Sequence, residues 1–136
     1  MRVKEIMHHV MKIPFWSSIS EAARMMDEKS IGSVLIEENG RVIGIMTERD
    51  ILRKIVAKGK NPDKVKVKDI MNYPIETIDA NEDIVDASKI MDEKRIRRLV
   101  VVENGKIVGK ITANSISRNL KYMVVREPQV YTRMEY

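Results

Sequence analysis

At 136 residues, with a formal net charge of +5 and no cysteine, the chain has room for one domain or a tight pair of subdomains. The composition excludes a disulfide framework and a thiolate metal site. No apolar run approaches the roughly 20 residues that span a bilayer, and the N-terminus lacks the apolar stretch of a signal peptide, so a cytoplasmic protein is the expectation.

The chain opens with a short lead-in, Val3-Lys4-Glu5-Ile6-Met7. Ile19, Ala22, Ala23 and Met26 then fall at i, i+3, i+4 and i+7, the stripe of an amphipathic helix, with Ser18 and Glu21 at capping-box spacing before it. Strands are predicted over Ser33–Glu37 and Val42–Met46, joined by Asn39-Gly40, a pair that favours the positive φ of a tight hairpin. Ile51, Leu52, Ile55 and Val56 form the stripe of a second helix. Lys58–Lys64, with Gly59 and Pro62, reads as a linker.

The same order then returns. Val67-Lys68-Asp69-Ile70-Met71 is a second lead-in, and Ile84, Ala87, Ser88 and Met91 a second stripe behind Asp83. Strands are predicted at Leu99–Val102 and Lys106–Ile111 around Asn104-Gly105, followed by a helix with Ile116, Leu120, Met123 and Val124. Met26-Asp27-Glu28-Lys29 recurs as Met91-Asp92-Glu93-Lys94, 65 residues on, and at that offset Gly44, Thr47 and Ile51 become Gly109, Thr112 and Ile116. Two copies of one small unit are present. A unit of about 60 residues buries only roughly 60% of its unfolded surface, so the copies are expected to share a core. The partition is 1–57, a linker 58–65, 66–124, and a tail 125–136.

The charge is concentrated. Between Arg53 and Lys68 stand Arg53, Lys54, Lys58, Lys60, Lys64, Lys66 and Lys68 against Asp63 alone. A solvated linker explains such a run, and a nucleic-acid surface is the competing reading. Few aromatics interleave with these lysines, which weakens a stacking platform. His8 and His9 are adjacent, not at helical ligand spacing, and no metal site is expected. No catalytic constellation is present, and Gly59-Lys60 and Gly105-Lys106 lack the rest of a P-loop. The methionines, Met7, Met11, Met25, Met26 and Met46 among them, read mostly as core fillers, and Phe15 and Trp16 as core packing, with an exposed contact the alternative.

Gly44-Ile45-Met46-Thr47-Glu48-Arg49-Asp50 runs from a strand into a helix start. Thr47 as N-cap, with Asp50 closing a box, is the structural reading. The functional reading uses the same geometry: a hydroxyl beside free N–H groups, and a carboxylate able to accept the hydroxyl protons of a ribose.

The lead-in with Ile-Met, the helix, the hairpin and the Gly-h-h-Thr-x-x-Asp element (h apolar) together resemble the CBS domain, and the two copies the tandem pair called a Bateman module, over about residues 1–121. The resemblance implies an α/β (α+β) fold with a pseudo-two-fold axis, and clefts that bind AMP, ADP, ATP or S-adenosylmethionine. It also implies a non-enzymatic sensor without a required cofactor, a homodimer, and an unnamed regulated partner. In such clefts one copy's second helix meets the other copy's lead-in and first sheet strand. Carried over, Asp50 is the ribose acid and Thr47 the helix-start hydroxyl, with Met46 and Arg49 beside them. Asn72, Pro74, Ile75 and Ile96 supply backbone groups and apolar walls, and Arg97 and Arg98 stand where some members place bases against phosphate. The other cleft would use His8, Ile31, Thr112, Asn114 and Ser115. There Ser115 replaces the acid, and the facing His8–Pro14 stretch lacks the Pro-Ile pattern, so asymmetry between the clefts is expected. A purely structural dimerisation module is the remaining alternative.

Overall fold

The expected helices and hairpins form, and three-residue strands are added to each. A computed structural model describes residues 1–120. Met123, Val124 and the tail lie outside the described residues. The elements are β1 (Lys12–Pro14), α1 (Ile19–Lys29), β2 (Ser33–Glu38), β3 (Arg41–Thr47) and α2 (Glu48–Ile51), which runs on into a π-helical turn at Leu52–Val56. Then follow β4 (Thr77–Asp79), α3 (Ile84–Lys94), β5 (Arg98–Glu103), β6 (Lys106–Thr112) and α4 (Ala113–Arg118). Each lead-in holds a 3-10 turn, Val3–Glu5 and Val67–Asp69.

Two three-stranded sheets result, ordered β1-β2-β3 and β4-β5-β6. In each, the short first strand runs parallel to the second and the hairpin is antiparallel. The hairpin turns carry the positive φ that Asn-Gly permits, +49° and +78° at Asn39-Gly40 and +52° and +76° at Asn104-Gly105. Ser18 Oγ caps α1 by accepting from Glu21 N at 3.1 Å, and Asp83 caps α3 by accepting from Val85 N at 2.8 Å.

The chain divides into two compact units. One is contiguous, Val10–Ile75; the other is split, Met1–His9 together with the described residues from Glu76 onward. Each repeat therefore packs against the other repeat's lead-in. The contiguous core holds Ile13, Ile19, Met26, Ile36, Met46 and Ile55 with Val67 and Ile70 from the second lead-in. The split core holds Ile84, Met91, Leu99, Val101 and Ile111 with Val3 and Ile6 from the first. Backbone bonds fasten these segments: Val3 N to Glu82 O at 2.8 Å and Lys4 N to Ala80 O at 2.9 Å in one unit, Val67 N to Ser17 O at 2.9 Å in the other. The repeats of the sequence and the compact units are different partitions of the chain.

Three apolar expectations are corrected, the first being Leu120, placed in the stripe of the last helix but 37% exposed. Of the stripe expected on the second helix, Ile55 is buried, but Leu52 and Val56 are 59% and 65% exposed. One row of side chains suffices to cover the sheet at this short helix, and the neighbouring row faces outward. Phe15 packs on the contiguous core, whereas Trp16 is 56% exposed. Its carbonyl accepts from Lys66 Nζ at 3.1 Å.

Candidate functional site

The site begins at the end of β3. There the chain turns from strand to helix at Thr47, whose φ of −120° and ψ of 166° are those of an extended cap residue. Asp50 N donates to Thr47 Oγ1 at 3.3 Å, and Asp50 Oδ2 accepts from Thr47 N at 2.8 Å, so the box expected from the spacing is closed. Thr47 Oγ1 also donates to Oδ2, at 3.1 Å. The carboxylate is buried, with its side chain 11% exposed.

The second lead-in supplies the rest. Its backbone pairs with β3 in both directions, Ile45 N to Asn72 O at 3.0 Å and Asn72 N to Ile45 O at 2.8 Å. This pairing carries Asn72 Nδ2 to 2.8 Å from Asp50 Oδ2. Gly44 makes the approach possible: a Cβ there would lie 2.9 Å from the Asn72 carbonyl oxygen and 2.5 Å from Met71 Sδ. Thr47, Asp50 and Asn72, separated by up to 25 residues in sequence, thus form one hydrogen-bonded group within the contiguous unit.

One member of this group was not foreseen. Lys54 Nζ stands 3.3 Å from Asp50 Oδ1 and donates to the Ile70 carbonyl at 2.7 Å and to Asn72 Oδ1 at 3.4 Å. Its i, i+4 spacing from Asp50 was the available signal, masked by the reading of the basic run as linker. Lys66 and Lys68 also have partners, the Trp16 carbonyl and the Phe15 ring at 5.5 Å, while Lys58, Lys60 and Lys64 are exposed.

The remaining expected residues are placed as follows. Met46 is fully buried in the core, so it offers a ligand only its backbone; Arg49, Pro74 and most of Asn72 are exposed, and Ile75 half-buried. Ile96, Arg97 and Arg98 belong to the split unit. Arg98 pairs with Thr112 across β5 and β6, and its Nε is buried without a hydrogen-bond partner among the described residues; Arg97 is exposed.

At the equivalent place in the second repeat, Thr112 and Ser115 form a box of neutral groups. Ser115 N donates to Thr112 Oγ1 at 3.0 Å, and Ser115 Oγ lies 2.9 Å from Thr112 N, Oγ1 and O. The serine hydroxyl is engaged by Thr112 alone among its described partners. His8 reaches this region through backbone pairing with Lys110, at 2.8 and 2.9 Å, and its side chain is exposed. Asn114 is exposed too, while Ile31 is half-buried on the contiguous core.

The CBS domain family model matches the chain twice, over residues 3–57 and 67–122. The chain belongs to the CBS domain family. It is a tandem CBS pair, with the mixed α and β architecture of that family. Among its relatives, an uncharacterized protein of Methanopyrus kandleri is 44% identical over 106 residues, 76% of this chain and 54% of its own length. An uncharacterized protein of Methanocaldococcus jannaschii is 35% identical over 102 residues, 73% of this chain and 55% of its own. The CBS pair thus spans about half the length of these two relatives. Among solved structures, the hexameric CBS-CP12 protein from bloom-forming cyanobacteria superposes with a TM-score of 0.84 at 27% identity, covering 94% of this chain and 75% of that one.

Proposed function

We propose that this CBS pair is a regulatory module that binds an adenosine nucleotide (AMP, ADP or ATP, with S-adenosylmethionine the related alternative) and acts on a partner protein rather than catalysing a reaction. The observation that carries this reading is the hydrogen-bonded group of Thr47, Asp50 and Asn72. It presents a buried carboxylate beside a hydroxyl and a neighbouring backbone, the equipment for gripping a sugar. The second repeat supports the asymmetric form of the reading, because Ser115 supplies no charge. A hydrogen bond to an ionised group contributes roughly 1.5–3 kcal/mol, against 0.5–1.5 for a neutral one.

A homodimer and a cytoplasmic setting belong to the same reading. The exposed Leu52 and Val56 and the hexamer formed by the cyanobacterial relative support self-association.

The test is titration calorimetry with AMP on wild type, Asp50→Ala and Ser115→Ala. Asp50→Ala is expected to weaken binding about ten-fold to more than a hundred-fold, and Ser115→Ala to leave it nearly intact. No binding of any adenosine compound by wild type would leave a structural dimerisation module as the better account.

A further inference from the structure

The two oxygens of the Asp50 carboxylate are not equivalent. Oδ2 already accepts from Thr47 N, Thr47 Oγ1 and Asn72 Nδ2, at 2.8, 3.1 and 2.8 Å. A carboxylate oxygen has about two lone-pair sites, so three donors leave Oδ2 without further capacity. Oδ1 is the oxygen with room, and the Lys54 ammonium faces it at 3.3 Å.

We propose that Lys54 is the resident counter-ion of Asp50, and that the ribose 2′-hydroxyl of a ligand displaces it from Oδ1. Lys54 then sets the affinity of the site for ribose by competing for the acceptor that ribose needs. The inference rests on the ribose-binding reading above and assigns a regulating residue to that site. The exchange is chemically accessible. The lysine side chain is 41% exposed, and its ammonium also donates to the Ile70 carbonyl at 2.7 Å, a second partner that does not depend on the carboxylate. Lys54 also donates to Asn72 Oδ1, so its release loosens one of the ties that hold the second lead-in beside α2. Occupancy of the carboxylate and the hold on Asn72 are therefore linked through one side chain. The second repeat lacks this arrangement: at the position equivalent to Lys54, Asn119 donates to the Ser115 backbone carbonyl at 2.8 Å.

The experiment compares wild type, Lys54→Met and Asp50→Asn, each titrated with adenosine and 2′-deoxyadenosine. These nucleosides carry no phosphate for the lysine to attract, and Lys54→Met keeps the apolar stem. Lys54→Met is expected to bind adenosine about two- to five-fold more tightly, the scale of an ion pair on a half-exposed lysine, with 2′-deoxyadenosine unchanged. Weaker or unchanged adenosine binding, or an equal gain for both nucleosides, overturns the counter-ion role. Asp50→Asn separates the two levels. If it abolishes the preference for adenosine over 2′-deoxyadenosine, the ribose site stands whatever Lys54→Met does. If the preference survives, or wild type has none, the ribose reading falls and the inference falls with it. A ligand-free measurement gives an independent check. Unfolding of Asp50→Asn, Lys54→Met and the double variant should be non-additive, and additivity would show that the two side chains are not coupled.

Discussion

Replacing Gly44 by alanine tests the contact that assembles the site. The added methyl would stand 2.5 Å from Met71 Sδ, 2.9 Å from Met71 Cγ and 2.9 Å from the Asn72 carbonyl oxygen. The thioether can swing away. The carbonyl is held by the paired bonds with Ile45 at 3.0 and 2.8 Å and cannot retreat without stretching them. Overpacking of this kind costs about 1–3 kcal/mol, and a weakened hydrogen bond adds about 0.5–1.5. The expected loss is therefore about 1.5–4.5 kcal/mol, read from urea unfolding. Met71→Ala separates the two clashes: in that background the sulfur contact is gone and the carbonyl contact remains, so much of the Gly44→Ala penalty should persist. Gly40→Ala is the control for backbone strain alone. It has nothing within 4 Å but a φ of +78°, and should cost about 1–2 kcal/mol. A Gly44→Ala penalty below about 0.5 kcal/mol, or one that vanishes with Met71→Ala, would refute the argument that the Asn72 backbone is the obstacle.

Other outcomes follow from the same geometry. Without ligand, Asp50→Ala should lose about 1.5–3 kcal/mol of unfolding free energy, because it strips a charged acceptor from Thr47, Asn72 and Lys54, while Ser115→Ala should lose about 0.5–2; the reverse order would contradict the local accounting. Deleting residues 1–9 removes the buried Val3 and Ile6 from the split core, each contributing about 1.5–3 kcal/mol, so hydrogen exchange should quicken in β5 and β6 while residues 10–75 keep their protection. An equal change in both units would count against the partition. Ser30 and Arg95 end α1 and α3 with φ of +53° and +55°, and glycine at either position should raise stability by about 0.5–1 kcal/mol in thermal unfolding.

Much of this fold is written locally. The stripes at Ile19–Met26 and Ile84–Met91, the Asn-Gly turns and the Thr-x-x-Asp box depend on neighbours within a few residues, and spacing exposes them. What escaped depends on distant partners. Lys12–Pro14 and Thr77–Asp79 have only three residues each with a single buried side chain, too few to show a period, and they become strands because β2 and β5 offer a parallel edge. The outward face of Leu52 and Val56 reflects how little sheet a short helix must cover. Lys54 looked like one charge in a basic run until Ile70 and Asn72 were brought to it. Asp50 was legible as a cap, and its contact with Asn72 followed only from the resemblance, which implied that the second lead-in crosses to the first repeat.

That crossing has a consequence for synthesis on the ribosome. The contiguous unit is complete once Ile75 has emerged, whereas Val3 and Lys4 must wait for Glu82, Ala80 and the strands beyond them. At about 5–20 residues per second, the 45 residues from Ile75 to Leu120 take roughly 2–9 s to add. For that interval the core that buries Val3 and Ile6, with Ile84, Met91, Leu99, Val101 and Ile111, is incomplete. The order of folding is then the inverse of the order of translation for residues 1–9. Arrested nascent chains ending after Ile75 should resist protease across residues 10–75 while remaining cleavable near the N-terminus, and early protection of Val3–Met7 would show that the segment finds shelter elsewhere.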